Sequence, residues 1–226
     1  MIGSIGQPLL FLLALGFGFG PIFEKAGGGN YIDFLAPGII SMGILFTAIF
    51  SGIEVIWDRQ FGFLKETLVA PISRFEIMFG RTLGGATIAL CQGIIVFLIT
   101  LLVGFHPNFS GLPVAIILAT LIALFFTALG TTIACLLEDM QGFQIIMNFL
   151  VMPVFFLSGA LFPLEGLPTA ISLAASLDPL AYGVDGIRSA LINVSYFSLT
   201  TDILALGTLT IVVMLTGSYL FSKIQT

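Results

Sequence analysis

A chain of 226 residues that is 58% hydrophobic and 8% charged, with a mean hydropathy of +1.16, cannot hide its apolar surface as a water-soluble domain, in which about a quarter of residues are charged. Its solvent must be a bilayer. The net charge of −5 comes from a few scattered residues, which excludes the basic face that nucleic-acid binding requires.

Six apolar segments are long enough to span as helices, each needing about 20 residues. In chain order they run Ile5–Phe23, Leu35–Ile56, Ile77–Gly104, Leu112–Leu137, Phe143–Phe162 and Ile203–Phe221. Helices are required because each backbone polar group must be satisfied within its own segment. The runs do not alternate as barrel strands would. The fold class is therefore an all-α integral membrane protein, read as one transmembrane domain over residues 1–226. Met1 leads almost directly into the first run without a basic n-region, so this run is read as a retained span rather than a signal peptide. Cys91 and Cys135 lie far apart in apolar runs and are read as core residues, with no metal site. His106, beside Pro107, is read as a solvated loop residue. Gly16/Gly20 and Gly80/Gly84 have the spacing that lets helices approach closely.

The stretch between the second and third runs is unlike the rest. Residues 57–76 read WDRQFGFLKETLVAPISRFE. Phe61, Leu64 and Leu68 make one apolar stripe on a helix, with Lys65 and Glu66 pointing elsewhere. Pro71 stops that helix. Ser73-Arg74-Phe75-Glu76 is then a capping box, with Ile72 and Ile77 placed as a hydrophobic staple. The stretch reads as span, short interfacial helix, proline corner, capped span. Placing it in the cytoplasm puts Arg59, Lys65, Arg74, Arg81 and Lys223 inside and only Lys25 and Arg188 outside. Both termini are then cytoplasmic. Glu54, one turn before Asp58, and Arg81, two turns into the third helix, fall at similar shallow depth and are expected to pair.

The region 163–200 is too apolar for a free loop. Pro163 opens it, and Pro168 starts a short helix reaching Leu177. Asp178 is an N-cap with Pro179 at the first helical position. Leu180, Val184, Ile187 and Leu191 form a stripe, and Asp185 and Arg188 are placed to pair. The spans carry almost no charge, which argues against a proton relay and fits hydrophobic or amphipathic cargo. Gln92, Gln144 and Asn148 are read as joining helices or lining a path. There is no GxxxxGK[ST] phosphate loop, so the chain does not hydrolyse ATP in that way. No catalytic residue is legible: there is no HExxH and no Ser–His arrangement.

The run Glu54-x-x-x-Asp58-Arg59-x-x-Gly62-x-Leu64-x-x-x-Leu68-x-x-Pro71-Ile72-Ser73-Arg74, followed by Gly80-Arg81, closely resembles the permease subunits of type-2 ATP-binding-cassette exporters. The resemblance is nearest to the daunorubicin-resistance and nodulation-export branch. The stretches from Phe155 to Pro168 and from Asp178 to Arg188 agree in order and spacing. The resemblance implies a six-span permease of the cytoplasmic membrane, paired with a second permease chain, usually a copy of itself. Each permease sits on a separate ATPase subunit that carries the ATP and magnesium. Asp58, Arg59, Phe61, Gly62, Leu64, Lys65, Glu66, Leu68, Pro71, Ser73, Arg74 and Glu76 would form the coupling segment that docks on it. Pro163, Pro168, Asp178, Pro179, Asp185 and Arg188 would belong to short re-entrant outer helices. Family members usually carry a basic amphipathic connector helix before the first span. The sequence opens almost directly on its first apolar run, which leaves either a start set elsewhere or an altered docking. The competing classes are a membrane-embedded enzyme and a passive channel or scaffold, separated from an exporter by co-purification with an ATPase.

Overall fold

A computed structural model describes residues 2–27, 29–63, 71 and 73–223. Among these the chain is helical. The helices are α1 (Ile2–Lys25), α2 (Tyr31–Phe50), α3 (Ile53–Gln60), α4 (Arg74–Val103), α5 (Leu112–Cys135), α6 (Met140–Leu157), α7 (Thr169–Ser176), α8 (Pro179–Ile192) and α9 (Leu199–Ser222). A short 3₁₀ turn, Phe109–Gly111, precedes α5. Six stretches are long and apolar enough to cross a membrane: Ile5–Lys25, Tyr31–Gln60, Arg74–Val103, Phe109–Cys135, Met140–Leu157 and Leu199–Ser222. They match the six expected spans in order, with ends shifted by a few residues.

Helix α2 is the axis of the bundle. It packs against α1, α4, α5 and α8. Leu35, Ile39, Met42, Leu45 and Ile49 along it are fully buried. Its start is set by Asn30, whose side chain accepts the Ile32 N–H at 3.0 Å. Its continuation into α3 is interrupted at Ser51-Gly52, where the Gly52 N–H bonds three residues back, to Ile49. The reason lies across the interface. A Cβ on Gly52 would stand 2.4 Å from the Gly130 backbone of α5, and one on Gly130 would stand 2.1 Å from the Ile49 carbonyl oxygen. The two helices cross there backbone to backbone, as small residues permit. Of the glycines expected to do this from their spacing, Gly16 meets the Ile32 side chain of α2, 3.3 Å from a built Cβ, and the other three do not. Gly20, Gly80 and Gly84 have nothing within 4 Å of a built Cβ.

The fifth span ends at Leu157 rather than Phe162, because Gly159 takes a left-handed φ of 72° and turns the chain. Helix α6 buries one stripe, Phe143, Met147, Val151 and Phe155, flanked by the partly buried Leu150 and Val154. Gln144 and Asn148 are exposed on its other face, alongside Ile145 and Phe149. Gln92 on α4 is buried. Cys135 is buried, but Cys91 is exposed on the flank of the bundle, contrary to its reading as core. The short helices α7 and α8 follow α6. Leu180, Val184, Ile187 and Leu191 of α8 are buried against the bundle as the stripe foretold.

Candidate functional site

Two polar clusters stand at opposite ends of the bundle. The first surrounds α3. Val55 and Ile56 hold this helix to the core, both essentially fully buried, and the four residues after them emerge in different directions. The Trp57 Nε1–H points at the Met140 sulfur, 2.8 Å away. Asp58 is ion-paired with Arg81 of α4. Arg59 donates from its two terminal nitrogens to the carbonyls of Leu137 and Cys135, at 3.0 and 3.1 Å. Gln60 donates to the Glu138 carbonyl at 3.3 Å.

The Arg59 contact has a clear cause. The last carbonyls of a helix have no partner within it, and they carry the negative end of its dipole. Helix α5 has no basic residue in its own last turn. Arg59, from another element, supplies both the donors and the positive charge.

Arg81 takes Asp58 and not Glu54, so the expected pair is corrected. Glu54 sits one helical turn, about 5.4 Å, farther from the connecting segment than Asp58. Glu54 instead lines a cleft with Gln7, Thr47, Ser51 and Ile88. The side chains of Asp58 and Arg81 are 30% and 19% exposed, so the pair is only partly screened by water.

The connecting segment begins with Phe61, which is exposed, and Gly62, at a φ of 83°. Phe63 is exposed as well. Leu64, Lys65, Glu66, Leu68 and Ile72 lie outside the described residues. Pro71 is exposed. The capping box is present in full. The Glu76 N–H donates to Ser73 Oγ at 3.2 Å, and the Ser73 N–H donates to Glu76 Oε2 at 2.7 Å. Arg74 is the first residue of α4, immediately after the cap. Phe75 and Phe79 stack on one exposed face, centroids 6.1 Å apart.

The second cluster lies at the α7–α8 end. Pro168 precedes α7 as its N-cap residue, and Leu177 closes the helix. Asp178 caps α8, accepting the Leu180 N–H at 2.9 Å, with Pro179 in the first turn. Burial pushes the Asp178 carboxyl up to about 7.

Asp185 and Arg188 do not hydrogen-bond to each other. Asp185 accepts the N–H groups of Tyr196 and Phe197 at 2.8 and 2.7 Å. Arg188 donates to the Gly159 carbonyl at 2.9 Å and stacks over the Phe34 ring at 4.0 Å. Each side chain is drawn to backbone from another segment, because that backbone would otherwise be unsatisfied. Burial raises the Asp185 carboxyl and lowers the Arg188 guanidinium to about 10. Arg188 and Asp185, with Pro163, Glu165, Asp33 and His106, line an open cup of about 640 Å³. His106 is exposed, and its N–H donates to Asp33 at 2.8 Å. Asp202 in the first turn of α9 is fully buried beside Gly186. Nothing in its sequence context marked it out from an ordinary acidic first-turn residue. Among the described residues no three His, Cys, Asp or Glu side chains converge to hold a metal ion.

Residues 1–192 match the family described as ABC-2 type transporter. The transport permease ycf38 of Cyanophora paradoxa is 31% identical over 241 aligned positions, covering 99% of this chain and 82% of that protein. Nodulation protein J of Rhizobium leguminosarum bv. trifolii is 28% identical, covering 85% and 74%. The transport permease ycf38 of Porphyra purpurea is 32% identical, covering 83% and 66%.

Proposed function

The chain belongs to the ABC-2 type transporter family and is a multi-pass transport permease, and from that premise we propose that ATP bound and hydrolysed with magnesium on a separate ATPase subunit drives it as an exporter. The segment from Asp58 to Glu76 is the docking handle. The observation that carries this reading is the way that segment is anchored. It leaves α3 beside the Asp58–Arg81 pair and enters α4 through the Ser73–Glu76 box. A handle transmits motion only if its joints are stiff, and both joints here are closed by charge-assisted hydrogen bonds. Arg59, Arg74, Arg81 and Lys223 support placing this end, and both termini, in the cytoplasm, with the chain in the cytoplasmic membrane. The α7–α8 end then faces outward.

ATP can drive the permease only by favouring one of its states over another. The cargo is hydrophobic or amphipathic, in keeping with spans nearly free of charge. The chain pairs with a second permease, most simply its own copy. The exposed apolar residues Phe17 and Ile22 of α1 and Phe149 and Phe156 of α6 offer surface for that pairing and for lipid.

The test is co-purification with an ATPase and photo-crosslinking from Phe61. Leu64→Asp and Leu68→Asp should leave membrane insertion intact and abolish cargo-stimulated ATPase activity. Crosslinks that never capture a nucleotide-hydrolysing partner, or normal coupling in both variants, would overturn the reading.

A further inference from the structure

Helix α6 is held at both ends. Between its ends it buries one residue per turn, Phe143, Met147, Val151 and Phe155, with Leu150 and Val154 partly buried beside them. At its far end the Gly159 carbonyl receives Arg188 at 2.9 Å. At its near end it is separated from α5 by a turn of four residues, 136–139, whose Asp139 caps α6 through the Gly142 N–H. Three side chains of α3 reach that turn and its flanks: Arg59 to Cys135 and Leu137, Gln60 to Glu138, and Trp57 to Met140.

We propose that Arg59 is a positioning residue that makes the near end of α6 move with the docking handle, so that motion entering at α3 is delivered to two spans rather than one. This rests on the function proposed above. Asp58 and Arg59 are adjacent, yet they lead to different helices. Asp58 links α3 to α4 through Arg81. Arg59 links α3 to the α5–α6 turn. The planar guanidinium suits this task, because its two terminal nitrogens hold carbonyls two residues apart at once, whereas a lysine ammonium is a single point. A shift of α3 therefore carries the 135–139 backbone with it.

The experiment is amide hydrogen exchange on the full chain in nanodiscs, alone and with the ATPase that co-purifies with it, with and without a non-hydrolysable ATP analogue. Arg59→Gln and Arg59→Lys are compared with the wild type. In the chain alone, Arg59→Gln should speed exchange over residues 136–144 by up to about fivefold, the scale of a charge lost from a helix end, with Arg59→Lys intermediate. In the complex, nucleotide should alter exchange in the wild type at both 74–81 and 140–147. Arg59→Gln should keep the first response and lose the second. That selective loss separates positioning from a general structural defect. If Arg59→Gln does not accumulate in the membrane, Arg59→Lys carries the same comparison. A nucleotide response at 140–147 that survives the substitution would overturn the proposal. So would a wild type that responds only at 74–81, or a variant that loses both responses together. If no ATPase associates with the wild type, it is the exporter reading that fails. Unchanged exchange at 136–144 in the isolated Arg59→Gln chain would then overturn the Arg59 contact independently.

Discussion

Asp58 and Arg81 form an ion pair between α3 and α4, on either side of the polar segment that joins them. Glu54, on the same face of the helix one turn away, is not part of it. The pair closes the base of the handle, so it has a measurable energetic signature.

A double-mutant cycle with Asp58→Asn and Arg81→Gln should give a coupling of about 1 kcal/mol, between that of an exposed pair and that of a contact network. The same cycle with Glu54→Gln in place of Asp58→Asn should give coupling close to zero. Thermal unfolding in detergent is the measurement. Equal coupling for the two acids would show that Arg81 is shared.

Ser73→Ala removes one half of the capping box and should cost about 1 kcal/mol at the start of α4. Exchange should accelerate over the first turn, residues 74–77, and not beyond residue 90. Ser73→Asn should retain most of the protection, since asparagine is also a good cap. If the alanine variant exchanges like the wild type, the joint is held by something other than the cap.

Asp178 gives the α7–α8 end a pH dependence of known sign. Its carboxyl titrates near 3.8 when exposed and at about 7 in the folded chain, because burial disfavours the charged form. The folded state therefore binds the proton more tightly than the opened state does. The stabilisation is complete below about 3.8 and is lost as pH rises through about 7. Opening of residues 169–192, measured by exchange corrected for its intrinsic pH dependence, should increase across that window. Asp178→Asn should reduce the slope, leaving the part that comes from the Asp185 carboxyl, which burial also raises. A profile that slopes the other way would mean that the carboxylate finds a donor when it ionises.

Gly130→Ala should disrupt the α2–α5 crossing, since the added methyl would meet the Ile49 carbonyl at 2.1 Å and backbone cannot swing aside as a side chain can. A loss of about 1–3 kcal/mol is expected, the usual range for overpacking. Gly80→Ala, in open space, should be neutral or slightly stabilising, because alanine is the better helix former. Detergent-solubilised melting curves of the two variants make the comparison.

What the sequence disclosed was local. The six spans follow from length and hydropathy. The Ser73–Glu76 box and the Asp178-Pro179 start are spelled within four residues each, and both formed as read. Relations across the chain were hidden. Nothing near Arg59 indicates that its acceptors are carbonyls 76 and 78 residues later, because a backbone carbonyl has no sequence signature. The choice of Asp58 over Glu54 depends on how deep Arg81 sits relative to α3, which helical periodicity alone does not fix. The i, i+3 spacing of Asp185 and Arg188 was real, but each found backbone acceptors or donors on other segments. Spacing nominated Gly16, which does lie against Ile32 of α2, but also Gly20, Gly80 and Gly84, which face open space, while Gly52 and Gly130, in no repeating pattern, meet across the interface.

The bare contact between Gly52 and Gly130 divides the α2–α3 rod unequally. Eight residues, about 12 Å, lie between it and Gln60, and 21 residues, about 31 Å, between it and Tyr31. Because the helical hydrogen bonding also changes at that point, with the Gly52 N–H reaching back three residues to Ile49, the two arms are joined by a hinge rather than forming one lever. A displacement of Gln60 is taken up at this joint, and Tyr31, whose hydroxyl holds the Leu161 carbonyl at the opposite end of the bundle, stays in place.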